Sequence, residues 1–224
     1  MGKFLNSLAA LSFLAGLTFH SAAAEVGPRP KGLQLAISGI RIGQSPAASL
    51  KSLKSEGYRI TSVVQSASFR QRLADARNAE LRVPSDPAKS TEVSSVLATQ
   101  ADQHIRINYD DDATGARVAS SIHFDASSVA HPFGHIRATL INRYGPPQAE
   151  DGTGSVWCTG DQPNICLAHG VRGNRLKVGH DYRGFDPASK LTTIELVAGD
   201  DLRKSWRDGF RGALSRLVKS KNAF

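Results

Sequence analysis

Cysteine is scarce in this chain: there are two, Cys158 and Cys166. They form no C-x-x-C pair, and no polar neighbourhood that would lower a thiol pKa surrounds them, which argues against a redox or nucleophilic thiol. Long apolar runs are scarcer still. After Leu17 none approaches the about 20 residues that a membrane-crossing helix requires, so no transmembrane segment is expected beyond that point. The short signatures of common hydrolases and nucleotide-binding proteins are missing as well. There is no G-x-S-x-G, no H-E-x-x-H and no phosphate-cradling glycine loop, and Gly152-Thr153-Gly154-Ser155 reads only as a loop entering a strand. Acidic residues nearly vanish from the tail. Between Arg203 and Lys221 the only acid is Asp208, against Arg203, Lys204, Arg207, Arg211, Arg216, Lys219 and Lys221. The net charge of +8 therefore belongs mainly to the tail and not to the body.

What is present begins with an address. Lys3 precedes a largely apolar stretch, Phe4 to Leu17, and Ala22-Ala23-Ala24 stands just before Glu25. This is the layout of a cleaved secretory signal. Asn6, Ser7, Ser12 and Gly16 interrupt the apolar stretch too often for a comfortable bilayer span. The expectation is a periplasmic or secreted protein, cleaved near Ala24, working in an oxidising compartment. No cysteine lies at the cleavage site, so no lipid anchor is expected there. In that compartment Cys158 and Cys166 are most simply one disulfide across the turn-rich Thr159–Ile165. That closure is worth roughly 2–3 kcal/mol in the chain-entropy picture. A hydrophobic fraction of 40% and a charged fraction of 21% are those of a folded chain.

The pattern then divides into elements. Residues 25–32 form a flexible lead-in, and Leu33–Ile42 alternates as a strand. Ser45 is a helix N-cap followed by Pro46, and that helix stops at Gly57. Tyr58–Val64 resumes as strand, and Phe69–Leu81 has helical spacing. Strands follow near Val93–Thr99, Ile105–Tyr109 and Val118–Phe124. A second helix, about Pro132–Arg143, is stopped by Gly145-Pro146-Pro147. A disulfide-stapled hairpin is expected from strands near Ser155–Cys158 and Cys166–His169. Leu176–Val178 and Leu191–Val197 complete the strands. The order repeats: a short helix ending in glycine, then several strands. This predicts an α+β protein with antiparallel strands in one or two sheets, helices on one side and a C-terminal amphipathic helix. Its units are 33–125 and 126–199, followed by the basic helix and tail, 200–224.

Gly39-Ile40-Arg41-Ile42-Gly43-Gln44-Ser45, leading into a helix that ends Glu56-Gly57-Tyr58, resembles the opening of many exported bacterial proteins. Arg143-Tyr144-Gly145-Pro146-Pro147 resembles their second helix end. The wider group that the chain resembles includes outer-membrane assembly lipoproteins of the small-protein-A type and β-lactamase inhibitory protein. The resemblance implies a helical layer on an antiparallel sheet, and protein binding in the cell envelope. The chain departs from the lipoproteins in lacking their anchor cysteine, and its second half lacks the glycine–hydrophobic–glycine entry.

Three clusters carry candidate chemistry. His131 and His135 stand four apart at a helix start, as two zinc ligands would, with His123 or Asp125 as a third; the plainer reading is a loop histidine and a surface histidine. Asp110-Asp111-Asp112-Ala113-Thr114-Gly115 mimics the first half of a calcium loop, but Ser121 stands where the bidentate glutamate belongs, so a hairpin turn is expected. Leu202, Trp206, Phe210, Leu214 and Leu217 make an apolar stripe along the basic helix. That stripe can dock on the body, lie on anionic lipid, or meet an acidic partner. The leading expectation is a non-catalytic binding protein without cofactor, touching another protein or an anionic envelope surface through Trp206, Arg207, Phe210 and Arg211. Nucleic acid suits an exported chain poorly. The competing reading is a small metal-dependent hydrolase using His131 and His135.

Overall fold

The computed structural model describes residues 34–85, 90–151, 154–159, 173–182 and 190–221. The order of elements is α1 (Pro46–Ser55), β1 (Arg59–Ala67), α2 (Phe69–Glu80), β2 (Thr91–Gln100), β3 (Gln103–Asp111) and β4 (Arg117–Ser127). Then come α3 (Phe133–Tyr144), β5 (Ala149–Asp151), β6 (Gly154–Cys158), β7 (Arg175–Tyr182), β8 (Lys190–Val197) and α4 (Asp200–Lys221). All eight strands join one antiparallel sheet in the order β1-β2-β3-β4-β8-β7-β6-β5. The fold is α+β, and no described helix is long and apolar enough to cross a membrane.

Strand alternation sorts the side chains onto two faces. One cross-strand row runs Val96, Ile107, Ile122, Leu196, Leu176 and Trp157. These residues join Leu53 of α1 with Leu140 and Tyr144 of α3 in a single buried core. The row beside it, on the opposite face, reads Leu97, Arg106, His123, Glu195 and Lys177. Thus α1 and α3 cover the apolar face. The other two helices lie elsewhere: α2 and α4 pack on each other beside the β3–β4 turn.

Local chemistry explains the helix ends. Ser45 and Ser68 accept hydrogen bonds from the Ala48 and Gln71 amides, capping α1 and α2. Helix α1 closes in a Schellman motif, with Tyr58 N–H donating to the Leu53 carbonyl and Gly57 N–H to that of Lys54. Helix α2 ends in the same pair of bonds, Val83 to Asn78 and Arg82 to Ala79, although the left-handed position is held by Arg82 at φ 55°.

One expectation changes: Leu33–Ile42 is not a strand over its described residues. Ser38 and Gly39 both take positive φ, and Ile37 and Ile40 exchange backbone hydrogen bonds of 3.0 and 2.8 Å. The chain reverses there, and its apolar residues enter the core as a tight turn. The Tyr144 hydroxyl clamps this turn, accepting from the Ala36 amide and donating to its carbonyl, each at 3.1 Å. Strand β6 is paired on one edge by β5 and on the other by β7. Cys166–His169 lie outside the described residues, as do the expected signal, 1–24, and lead-in, 25–32; Cys158 ends β6 and is buried.

Candidate functional site: a groove under the terminal helix

The terminal helix starts on acids and runs into bases, as the helix dipole favours. Asp200 and Asp201 lie in its first turn, and Asp201 accepts a 3.0 Å hydrogen bond from the Gly173 amide. Leu202, Trp206, Phe210 and Leu214 are half-buried, and Leu217 is 39% exposed. The stripe faces the body and leaves room beneath it.

Three contacts fix the helix. Gly209 meets the β3–β4 turn so closely that a Cβ there would stand 2.6 Å from the Ala113 Cα and carbonyl oxygen. Phe210 packs edge-on against Phe69, with ring centroids 5.6 Å apart and planes at 87°. The Arg72 guanidinium lies 5.8 Å from the Phe210 centroid, a cation–π arrangement. Phe69 is in place because Ser68 caps α2 immediately before it. The turn itself is set by Asp112, whose carboxylate accepts from the Thr114 amide (2.8 Å), the Thr114 hydroxyl (2.7 Å) and the Ala116 amide (3.0 Å). These bonds hold the Asp112 pKa below its ordinary value against the opposing effect of burial. The aspartate run thus leads into an ordered turn whose last carboxylate, Asp112, is engaged by the turn's own backbone.

Between α4, α2 and the ends of β3 and β4 runs a groove of about 570 Å³. Phe69, Trp206 and Phe210 supply its apolar surface; Asn108 and Ser121 add polar groups from the sheet. Its body wall is nearly balanced in charge. Buried Asp111 is paired with Arg72 and with Arg117, whose Nε stands 3.2 Å away. Burial, and then the neighbouring Arg117, lower the Arg72 pKa, while Asp110 and Glu92 oppose them. The helix wall is cationic, with Arg203, Arg207 and Arg211. Arg211 is 3.7 Å from Asp208.

The structure brings Trp206, Arg207, Phe210 and Arg211 together on this groove. Phe69, Arg72 and Arg203 complete it without having been singled out from the sequence. The one available signal was Phe69, an aromatic residue opening an otherwise polar helix.

The histidines are dispersed. His131 precedes α3, its Nε2 3.6 Å from Asp102 and 3.1 Å from the Gln103 amide nitrogen, and its carbonyl accepts from the Thr192 hydroxyl at 2.7 Å. His135 is exposed on α3. His123, in β4, pairs instead with Asp125 at 3.1 Å. Among the described residues no three His, Cys, Asp or Glu side chains gather as a metal site requires. His180 packs against Phe133 with ring centroids 4.4 Å apart.

Fold and groove define an α+β protein with one eight-stranded antiparallel sheet and a basic helix bridging a cleft at its end. No family model, curated protein or solved structure matches the chain.

Proposed function

We propose that this chain is an exported, non-catalytic binding protein that engages an envelope component or another protein through the groove beneath α4. One observation carries the reading: a half-buried aromatic stripe and three arginines of α4 frame one cleft with Phe69 and Arg72. Aromatic and arginine side chains in a partly desolvated concavity are the residue types that dominate binding energy elsewhere. The inward turn of Trp206 and Phe210 favours capture in the groove over flat insertion of the helix into lipid. The secretory layout of the first 24 residues supports the location.

The test is photo-crosslinking in envelope extract, with a reactive aromatic residue at Phe210 or, as control, at Val129, an exposed position on the β4–α3 connection. A discrete adduct from position 210, absent from 129 and lost in Arg207→Glu, is expected. Equal labelling from both positions would remove the reading.

A further inference from the structure

We infer that the groove takes a small amphipathic carboxylate, its apolar body along Phe69, Trp206 and Phe210 and its anionic end on Arg203 and Arg207. The inference rests on the reading of the groove as the contact site and specifies what enters it. The charge distribution argues for an anion. On the body wall Arg72 and Arg117 are answered by Asp111, with Asp110 and Glu92 in their field. On the helix wall Asp208 lies near Arg211, and Arg203 and Arg207 have no ion-pair partner among the described residues. The guanidinium groups of Arg203 and Arg207 line the groove and can give a carboxylate charge-assisted hydrogen bonds.

The size and the surface argue for a small amphiphile. About 570 Å³ lies within the range of small-molecule sites. The three aromatic rings form one continuous apolar side, because Phe210 touches Phe69 and Trp206 lies one helical turn earlier on the same stripe. A simple inorganic anion would leave that side unfilled. An apolar cation would meet three arginines of the helix wall.

The chain carries its own reporter. It has two tryptophans; Trp157 is 0% exposed in the core, whereas Trp206 lines the groove. The chain purified after export is titrated, below any micelle concentration, with decanoate, with decyltrimethylammonium and with phosphatidylglycerol vesicles, following tryptophan emission. A saturable change with decanoate is expected, absent with the cation. It weakens roughly tenfold in Arg203→Gln, the loss of one charge-assisted hydrogen bond, and by more in Arg207→Glu, which also sets a like charge beside the carboxylate. Far-UV circular dichroism of both variants checks that they remain folded. Three results would overturn the inference: decyltrimethylammonium binding as well as decanoate, both arginine variants retaining full affinity, or vesicles shifting Trp206 while decanoate does not. If decanoate fails while the position-210 adduct persists, this inference falls and the groove remains the contact site.

Discussion

The His123–Asp125 pair on the open face of the sheet couples stability to pH. The hydrogen bond that His123 Nε2 donates to Asp125 is the largest cause raising the His123 pKa, with burial opposing it, Glu195 adding to it and Arg106 opposing. A histidine whose folded pKa is raised contributes stability that is fully present below its unfolded pKa of about 6.5 and fades as pH rises through the folded value. Asp125→Asn should lower the His123 titration midpoint, read by NMR of the imidazole protons, and flatten the decline of stability above neutral pH. Tyr144 tests a different contact. Its hydroxyl satisfies both backbone groups of buried Ala36. Tyr144→Phe should cost about 2 kcal/mol, since two polar groups lose their partner, seen as a lower urea midpoint at unchanged slope. Arg82 sits left-handed where α1 uses glycine. Arg82→Gly should stabilise by up to about 1 kcal/mol, the relief of backbone strain less the added freedom of the unfolded chain.

Among the elements, α4 is where helix propensity and docking make opposite demands. Glycine in a helix interior is about 1 kcal/mol worse than alanine, yet Gly209 lets the backbone approach the β3–β4 turn. Gly209→Ala should strengthen the helix and weaken its seat. The expected signature is retained helical ellipticity, Trp206 emission shifted to the red, and global stability lower by about 1–3 kcal/mol. If Trp206 emission stays unchanged, the close approach is not what holds the helix. Helix ends were readable from sequence because caps are local: Ser45-Pro46, Gly57 and Gly145-Pro146 each act within a few residues of themselves. The stripe of α4 was readable by its period, but its seat was not. Phe69 and Ala113 are distant in sequence, and no local rule pairs them with residues 209 and 210. Strand β5 escaped notice because three residues carry no period. Ile37 and Ile40 resemble strand positions because apolar residues alternate on each side of the two-residue turn, at 35 and 37 and again at 40 and 42.

At the scale of the molecule, the buried core contains residues from the strands, α1, α3 and the turn before α1, and none from α4. A chain ending at Asp201 should therefore keep the sheet, with a cooperative urea transition and the near-ultraviolet signature of buried Trp157, while losing whatever the groove binds. Non-cooperative unfolding of that chain would show that α4 belongs to the core after all. The α+β class, the antiparallel strands and the C-terminal helix followed from patterning. The order of strands across the sheet did not, because alternation says which side a residue faces and nothing about which strand lies beside it.

The seam of the sheet is formed by β4 and β8, the last strands of its two meanders. A chain that folds from its N-terminal end therefore completes β4 with its outer edge unpaired until Lys190–Val197 arrives. Each hairpin closes in microseconds, so β1–β4 can assemble locally in that interval while β4 offers a bare strand to any other chain. The vulnerable moment in this protein's life is thus set by the order in which its strands appear, and a helper that shields one strand edge would protect the whole fold.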